Sequence, residues 1–165
     1  MTRRRWGFAA AAMLCVVAGV SPARAQAVHH TIATLALQHG VIGIEALSTG
    51  HVLIGASTDA GNATVSLAAD AGKDLVDSIT RITARRVGTR TTRVYRTVAT
   101  DPATGAGVQF ARHIAKGAST YRLFFSTGDV RGFPLDVTSR ELGLVLRALR
   151  RAVRTARTLA AADSA

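Results

Sequence analysis

The sequence predicts an α+β protein with antiparallel sheets and two helices, arranged as a tandem ββββα duplication. Three observations support this fold class. Short segments rich in Val, Ile, Leu and Thr alternate with turn residues, apolar residues recur twice at helical spacing, and the order of segments repeats. The chain has 165 residues, of which 48% are hydrophobic, and this excludes a disordered polar chain. Its single Cys excludes a disulfide scaffold and a thiolate zinc protein.

The first 25 residues have the pattern of a cleaved secretory signal of the bacterial type. Three arginines at 3–5 precede an uncharged apolar run over 6–20, and Ala23 and Ala25 supply the small residues of a cleavage site. The apolar run is shorter than the ~20 residues that a membrane-spanning helix needs. We therefore expect cleavage after Ala25 and an exported protein, periplasmic or extracellular. A single α+β domain over residues 26–165, without a transmembrane helix, is expected to remain.

The first half of this domain is expected to contain four strands and a helix. The β-type segments that turn residues separate are 31–37, 41–47, 51–56 and 63–68. The apolar stripe of the helix that follows consists of Leu75, Val76, Ile79 and Ile82. Asp70 is expected to be the N-cap of this helix and Gly88 to mark its end. Asp77 and Arg81 have the spacing of an i,i+4 ion pair.

The second half repeats this order. Its β-type segments are 91–100, 108–114, 120–126 and 133–137. In the turn after the first of them, Pro102 fixes φ and Gly105 is expected in the left-handed region. Thr138 and Glu141 have the spacing of a capping box, which opens a long helix over 139–159. The apolar stripe of that helix is Leu142, Val145, Leu146, Leu149, Ala152, Val153 and Ala156.

The repeated order predicts pseudo-repeats over about 29–87 and 89–159. The alignment of the two halves matches glycines at corresponding turns, in the pairs Gly40-Val41 with Gly107-Val108 and Gly50 with Gly117. One ββββα unit alone could not bury both its sheet face and its helix face. We therefore expect the two halves to share one core.

Charge is distributed unevenly along the chain. Residues 26–80 hold one basic and five acidic side chains, whereas residues 81–165 hold 16 basic and five acidic ones. Arginine forks fit phosphate or carboxylate oxygens, so a cluster of them predicts an anion-binding surface. The alternative interpretation is codon bias and a solvated helix face, since Arg outnumbers Lys by 19 to 2. The anion-binding candidates are Arg93, Arg96, Arg122, Arg147, Arg150, Arg151 and Arg154, with Phe124 as an aromatic surface candidate.

No arrangement of residues points to a catalytic reaction, a cofactor or a metal site. His29 and His30 are adjacent, so on a strand their side chains point to opposite faces. The chain contains no P-loop, nucleophile elbow or metalloprotease helix motif. We therefore expect a protein that is not an enzyme, and we assign no catalytic residue, cofactor or metal. A hydrolase would become the better interpretation if a cleft joined His51 or His113 to an acid.

The repeated ββββα order, with basic strands and a long amphipathic helix, resembles the Whirly and PUR-type nucleic-acid-binding folds. The alternation of residue types is similar to that of one PUR-type repeat over residues 107–112, 120–125 and 133–135. These segments precede the helix that contains Glu141. The resemblance covers roughly residues 107–155 and is one of topology. It implies a basic, aromatic sheet face that carries single strands.

These observations lead to two functional hypotheses. The first is an exported, non-enzymatic binding or structural protein whose Arg-rich C-terminal half contacts an anionic partner, namely envelope lipid, polysaccharide or nucleic acid. The second is a module for binding a protein partner or for self-assembly into a homo-oligomer, through the amphipathic C-terminal helix or an open sheet edge.

Overall fold

A computed structural model of the chain describes residues 27–86, 92–127 and 132–163. It contains two four-stranded antiparallel sheets and two helices in a repeated ββββα arrangement, which confirms the predicted fold class. The first half consists of β1 (His29–Leu37), β2 (Gly40–Leu47), β3 (His51–Thr58), β4 (Gly61–Ala68) and α1 (Ala69–Ala84). The second half consists of β5 (Arg93–Thr100), β6 (Ala106–Ala115), β7 (Ala118–Thr127), β8 (Phe133–Val137) and α2 (Ser139–Asp163).

Each sheet is a meander in which every strand pairs with the next one along the chain. The alternation of side chains along a strand gives each sheet an inner, core-facing side and an outer side. Ile42 and Ile44 on β2, like Phe110 and Ile114 on β6, are fully buried on the inner sides. Their strands therefore have the alternation that was expected of sheets with one buried face.

The two helices join the halves into one core. α2 packs against β1, β2 and β3 of the first sheet, while α1 packs against β5 of the second sheet as well as β4. The helices also contact each other, and Gly72 lies so close to α2 that a Cβ there would be 3.2 Å from Val153. The buried residues of both sheets and both helices form one contiguous cluster. All seven residues of the predicted α2 stripe are buried in it.

The alignment of the two halves holds at one turn and is displaced at another. Gly50 and Gly117 both close a strand-to-strand turn with a positive φ, at 79° and 80°. Val41, however, is 42% exposed on the outer side of its sheet, whereas its proposed counterpart Val108 is 1% exposed. The cause is loop length: three residues connect β2 to β3, but two connect β6 to β7. One extra residue shifts the correct alignment of the preceding strands by one position.

Two expectations for α1 were wrong. Asp70 lies inside the first turn, and the N-cap residue is Ala68, which makes no side-chain capping bond. β4 runs directly into α1, and the carbonyl of Gly50 accepts the hydrogen bond of the Ala69 amide at 3.0 Å instead. Asp77 pairs with the amine of Lys73 at 2.7 Å, one turn in the other direction, rather than with Arg81. The predicted helix end at Gly88 lies outside the described residues.

A buried arginine connects the second sheet to the end of α1. Arg112 lies on the inner side of β6, and only 7% of it is exposed. Its Nη1 donates to the carbonyl oxygens of Ile82, Thr83 and Arg85, at 2.7, 3.0 and 3.0 Å. Its Nε and Nη2 donate to Ser119 Oγ at 3.1 and 3.0 Å. The guanidinium thus satisfies carbonyls that the helix leaves unpaired, at the end where the helix dipole favours a cation.

We predict that Arg112→Met lowers the free energy of unfolding by about 2–3 kcal/mol, because buried carbonyls at the end of α1 lose a charged donor. Urea denaturation measures this change. Arg154→Met removes an equally charged but exposed side chain of α2 and is expected to cost less than about 0.5 kcal/mol. Equal destabilisation by the two substitutions would contradict the assigned role of Arg112.

Candidate functional site

The outer side of the second sheet forms an open groove of about 900 Å³. Its floor consists of side chains that alternate with the core-facing ones on β5 to β8. Strand pairing arranges them in rows across the sheet. One row consists of Arg96, Ala111, Arg122 and Asp136. The adjacent row consists of Val98, Gln109, Phe124 and Pro134. Gln109 and Phe124 of this second row line the groove, while Val98 and Pro134 lie next to it on the outer side of the sheet.

The rim of the groove is built by a contact between the two halves of the chain. Glu141 Oε2 accepts hydrogen bonds from the backbone N–H and the hydroxyl of Thr138, both at 2.7 Å, and Thr138 Oγ1 accepts the Glu141 amide at 3.2 Å. This geometry confirms the predicted capping box. Glu141 Oε1 also accepts a hydrogen bond from the backbone N–H of Gln38, in the β1–β2 turn, at 2.6 Å. The bond fixes that turn beside the start of α2, so that His39 lines the groove.

Hydrogen bonding keeps the Glu141 carboxylate ionised. The backbone N–H of Thr138, followed by that of Gln38, lowers the pKa of Glu141 below its ordinary value of 4.5. The contact between the two halves is consequently formed with a charged acceptor.

Arg122 and Asp136 form a two-pronged ion pair in the charged row. Arg122 Nε lies 2.6 Å from Asp136 Oδ1, and Nη2 lies 2.8 Å from Oδ2. This bonding lowers the pKa of Asp136 and raises that of Arg122. Both side chains are about half exposed, at 48% and 50%. The charge of Arg122 is therefore already matched by a carboxylate at the surface.

Arg96 lies in the same row without such a partner. Asp136 is the single carboxylate among the described residues that line the groove, and it is paired with Arg122. Strand spacing places the backbones of Arg96 and Arg122 about 10 Å apart, with the small side chain of Ala111 between them. His113 also lines this face and is exposed, so the groove gathers a histidine with an acid, Asp136, but no hydrogen bond joins the two side chains in the described part of the chain. Among residues 27–86, 92–127 and 132–163, no carboxylate pairs with the Arg96 guanidinium, and we call it unmatched in this sense.

Apolar side chains surround this cation. Val94 and Val98 precede and follow Arg96 on the outer side of β5, and they are 49% and 61% exposed. Phe124 shares the outer side with Arg122 and is partly buried, while Phe125 points inward and stacks on Phe133 at 5.8 Å between ring centroids. The alternation along β7 that the sequence indicated is thus observed.

The other arginines that the sequence singled out do not line the groove. Arg93 lies on the opposite side of β5, where its guanidinium beside the Tyr95 hydroxyl lowers the pKa of that phenol. Arg150 Nη2 donates to Thr80 Oγ1 of α1 at 2.8 Å, which ties the two helices together. The other three arginines of the predicted set lie exposed on α2, at Arg147, Arg151 and Arg154. The predicted set is therefore divided among three surfaces.

Two of the three histidines outside the groove, His29 and His51, have local partners. His29 Nδ1 lies 2.8 Å from Glu45 Oε2, and His51 Nδ1 lies 3.1 Å from the Thr49 carbonyl oxygen. Within residues 27–86, 92–127 and 132–163, no three His, Cys, Asp or Glu side chains gather in a group that could hold a metal. No helix in these ranges is long and apolar enough to cross a membrane.

Sequence reasoning did not assign His39, Val94, His113 or Asp136 to a binding surface, and it missed the buried Arg112. Alternation with Gln109 and Ala111 could have placed His113 on the outer side of β6. The same rule could have placed Arg112 on the inner side. No signal in the sequence connects His39 to the second half of the chain.

No family model, no curated protein and no solved structure matches this chain. The resemblance to Whirly and PUR-type folds accordingly rests on the order of strands and helices. The groove has to be interpreted from its own residues.

We predict that Glu141→Ala lowers the free energy of unfolding at pH 7 by about 1 kcal/mol, through loss of the cap. A carboxyl whose pKa is lowered by folding stabilises the protein above its ordinary pKa and loses that effect as the pH falls through the folded value. The difference between wild type and variant should therefore shrink in acid. Urea denaturation at neutral and at acid pH measures it.

Asp59→Ala is the control for the Glu141 prediction, because it removes an exposed turn carboxylate without a capping role. Its effect should be small at both pH values. A Glu141→Ala difference that is equally large in acid would show that the ionised carboxylate is not the stabilising group.

Proposed function

We propose that this is an exported, non-enzymatic binding protein whose second sheet binds an anionic partner in the groove. The observation that carries the proposal is the unmatched charge of Arg96 beside the paired Arg122. An exposed guanidinium offers a planar set of donors that fits two oxygens of a phosphate or carboxylate. The partner classes are envelope lipid, polysaccharide and nucleic acid.

The geometry of the charged row supports two contacts to one anion. Asp136 holds the Arg122 guanidinium by Nε and Nη2, which leaves its Nη1 without a described acceptor. Arg96 can donate from the other side of Ala111. His39 and His113 line the same groove and add ring nitrogens as donors.

The charge of the whole chain favours encounter with anions from this side. The half that contains the groove holds 16 basic and five acidic residues, and the resulting field attracts anions at long range. Export, as the N-terminal pattern indicates, would place this surface among envelope or extracellular anions.

Self-assembly through the apolar face of α2 receives no such support. That face is buried within the protein, so assembly through it would require α2 to leave the core. Leu144 is the exposed apolar residue of α2, at 37%. The groove is therefore the better-supported binding surface.

We predict that Arg96→Gln weakens heparin binding about three- to tenfold at low salt, because one charge-assisted contact is lost. Titration at several salt concentrations measures the affinity and its salt dependence. Arg151→Gln makes the same change of charge on α2, outside the groove, and should alter the affinity less than about twofold. Equal losses would assign binding to overall charge, and absence of wild-type binding at low salt to heparin and to every other anionic probe would refute the proposal.

We predict that Asp136→Asn strengthens heparin binding by about two- to fivefold, because it removes a negative charge and releases the Arg122 guanidinium. The same titration measures this gain. Asp59→Asn removes an equal charge in the β3–β4 turn and should leave the affinity nearly unchanged. A weaker affinity in Asp136→Asn would mean that Asp136 orients Arg122 for binding instead of competing with the anion.

A further inference from the structure

Two exposed apolar side chains flank Arg96 on the outer side of β5. In the described part of the chain, the large hydrophobic residues that are at least 37% exposed are Val28, Val41, Val94, Val98 and Leu144. Two of these five flank Arg96 on the same side of β5, and Val98 is the most exposed of all at 61%. A guanidinium between two exposed valines offers a ligand one contact for an anionic group and two contacts for hydrocarbon.

The apolar contribution continues across the sheet. Val98, Phe124 and Pro134 lie in one row that crosses all four strands of the second sheet, interrupted only by Gln109. Neighbouring strands lie about 4.8 Å apart, so the row is about 14 Å long. It runs parallel to the charged row that contains Arg96. A ligand on this face would therefore find a charged strip and an apolar strip side by side.

A purely polar polyanion would use only half of this surface. A sulfated polysaccharide contacts guanidinium groups but offers little hydrocarbon to cover Val94 and Val98, whose burial is the favourable part of an apolar contact. The exposed valines therefore favour a molecule with an anionic head and a hydrocarbon chain.

We propose that the outer side of the second sheet binds an amphipathic anion, with its phosphate or carboxylate head in the groove at Arg96 and Arg122 and its hydrocarbon chain on the adjacent row of Val98, Phe124 and Pro134. This inference rests on the proposed function and names the ligand class of the same site. It selects a lipid-like molecule from the three partner classes.

The test is calorimetric titration of the protein with decyl phosphate below its critical micelle concentration. Inorganic phosphate provides the head alone, decyl maltoside provides a chain with a neutral head, and heparin provides charge alone. Decyl phosphate is expected to bind at least about tenfold more tightly than either inorganic phosphate or decyl maltoside.

Two substitutions separate the apolar contribution from the charge. Val98→Ser is expected to weaken decyl phosphate binding about fivefold while it changes heparin binding less than about twofold. Arg96→Gln is expected to weaken both. Val41→Ser is the matched control, because Val41 is an exposed valine on the outer side of the first sheet, and it should change neither affinity. Val98 and Val41 are both exposed, so neither substitution opens the core.

The outcomes distinguish this inference from the function on which it rests. If heparin binds but decyl phosphate does not, or if Val98→Ser and Val41→Ser behave alike, the amphiphile inference is overturned and the anion-binding function stands. If neither probe binds at low salt, the function fails as well. An oligonucleotide that binds more tightly than decyl phosphate and depends on Phe124 would assign the groove to nucleic acid and overturn the inference.

Discussion

The arrangement of the two halves depends on the Arg112 guanidinium. Its donor atoms belong to β6 and its carbonyl acceptors belong to the end of α1, so the bonds fix the second sheet against a helix of the first half. A buried charge is costly unless it is hydrogen-bonded, and here the helix end and the Ser119 hydroxyl both supply acceptors. No carboxylate is among these acceptors. The helix dipole takes the place of a counter-ion.

The burial of the inner side of β6 determines which residues of this strand lie on its outer side. Because Phe110, Arg112 and Ile114 must face the core, the residues between them must face solvent. A slip of β6 by one residue would bury Ala111 and His113 and expose the guanidinium of Arg112. Strand pairing transmits the register from β6 to β5 and β7, and so places Arg96 and Arg122 in one row. The composition of the proposed binding surface is thus a consequence of how the opposite surface is buried.

Sequence patterns predicted the features of this fold that depend on residues close together in the chain. Every strand was anticipated within a few residues, and the Thr138–Glu141 capping box was legible because its donors and acceptors lie three residues apart. The pairing of Arg122 with Asp136 could not be predicted in this way, because it depends on the register between β7 and β8. The contact that brings His39 to the groove joins Gln38 to Glu141 across 103 residues. Propensity and periodicity carry no information about such distances, and the buried role of Arg112 required knowledge of where α1 ends.

The acid in the groove bears on which anions can bind there. Asp136 pairs with Arg122 and weakens the attraction of this row for a ligand that binds by negative charge alone. A groove without this carboxylate would have a higher affinity for polyanions, because each unmatched cation adds to the electrostatic attraction. A ligand with a hydrocarbon part is less dependent on net charge, because covering Val98 and Phe124 contributes free energy that the carboxylate does not oppose. In the proposed complex, Arg96 orients the anionic head and the adjacent apolar row selects ligands that carry a hydrocarbon chain.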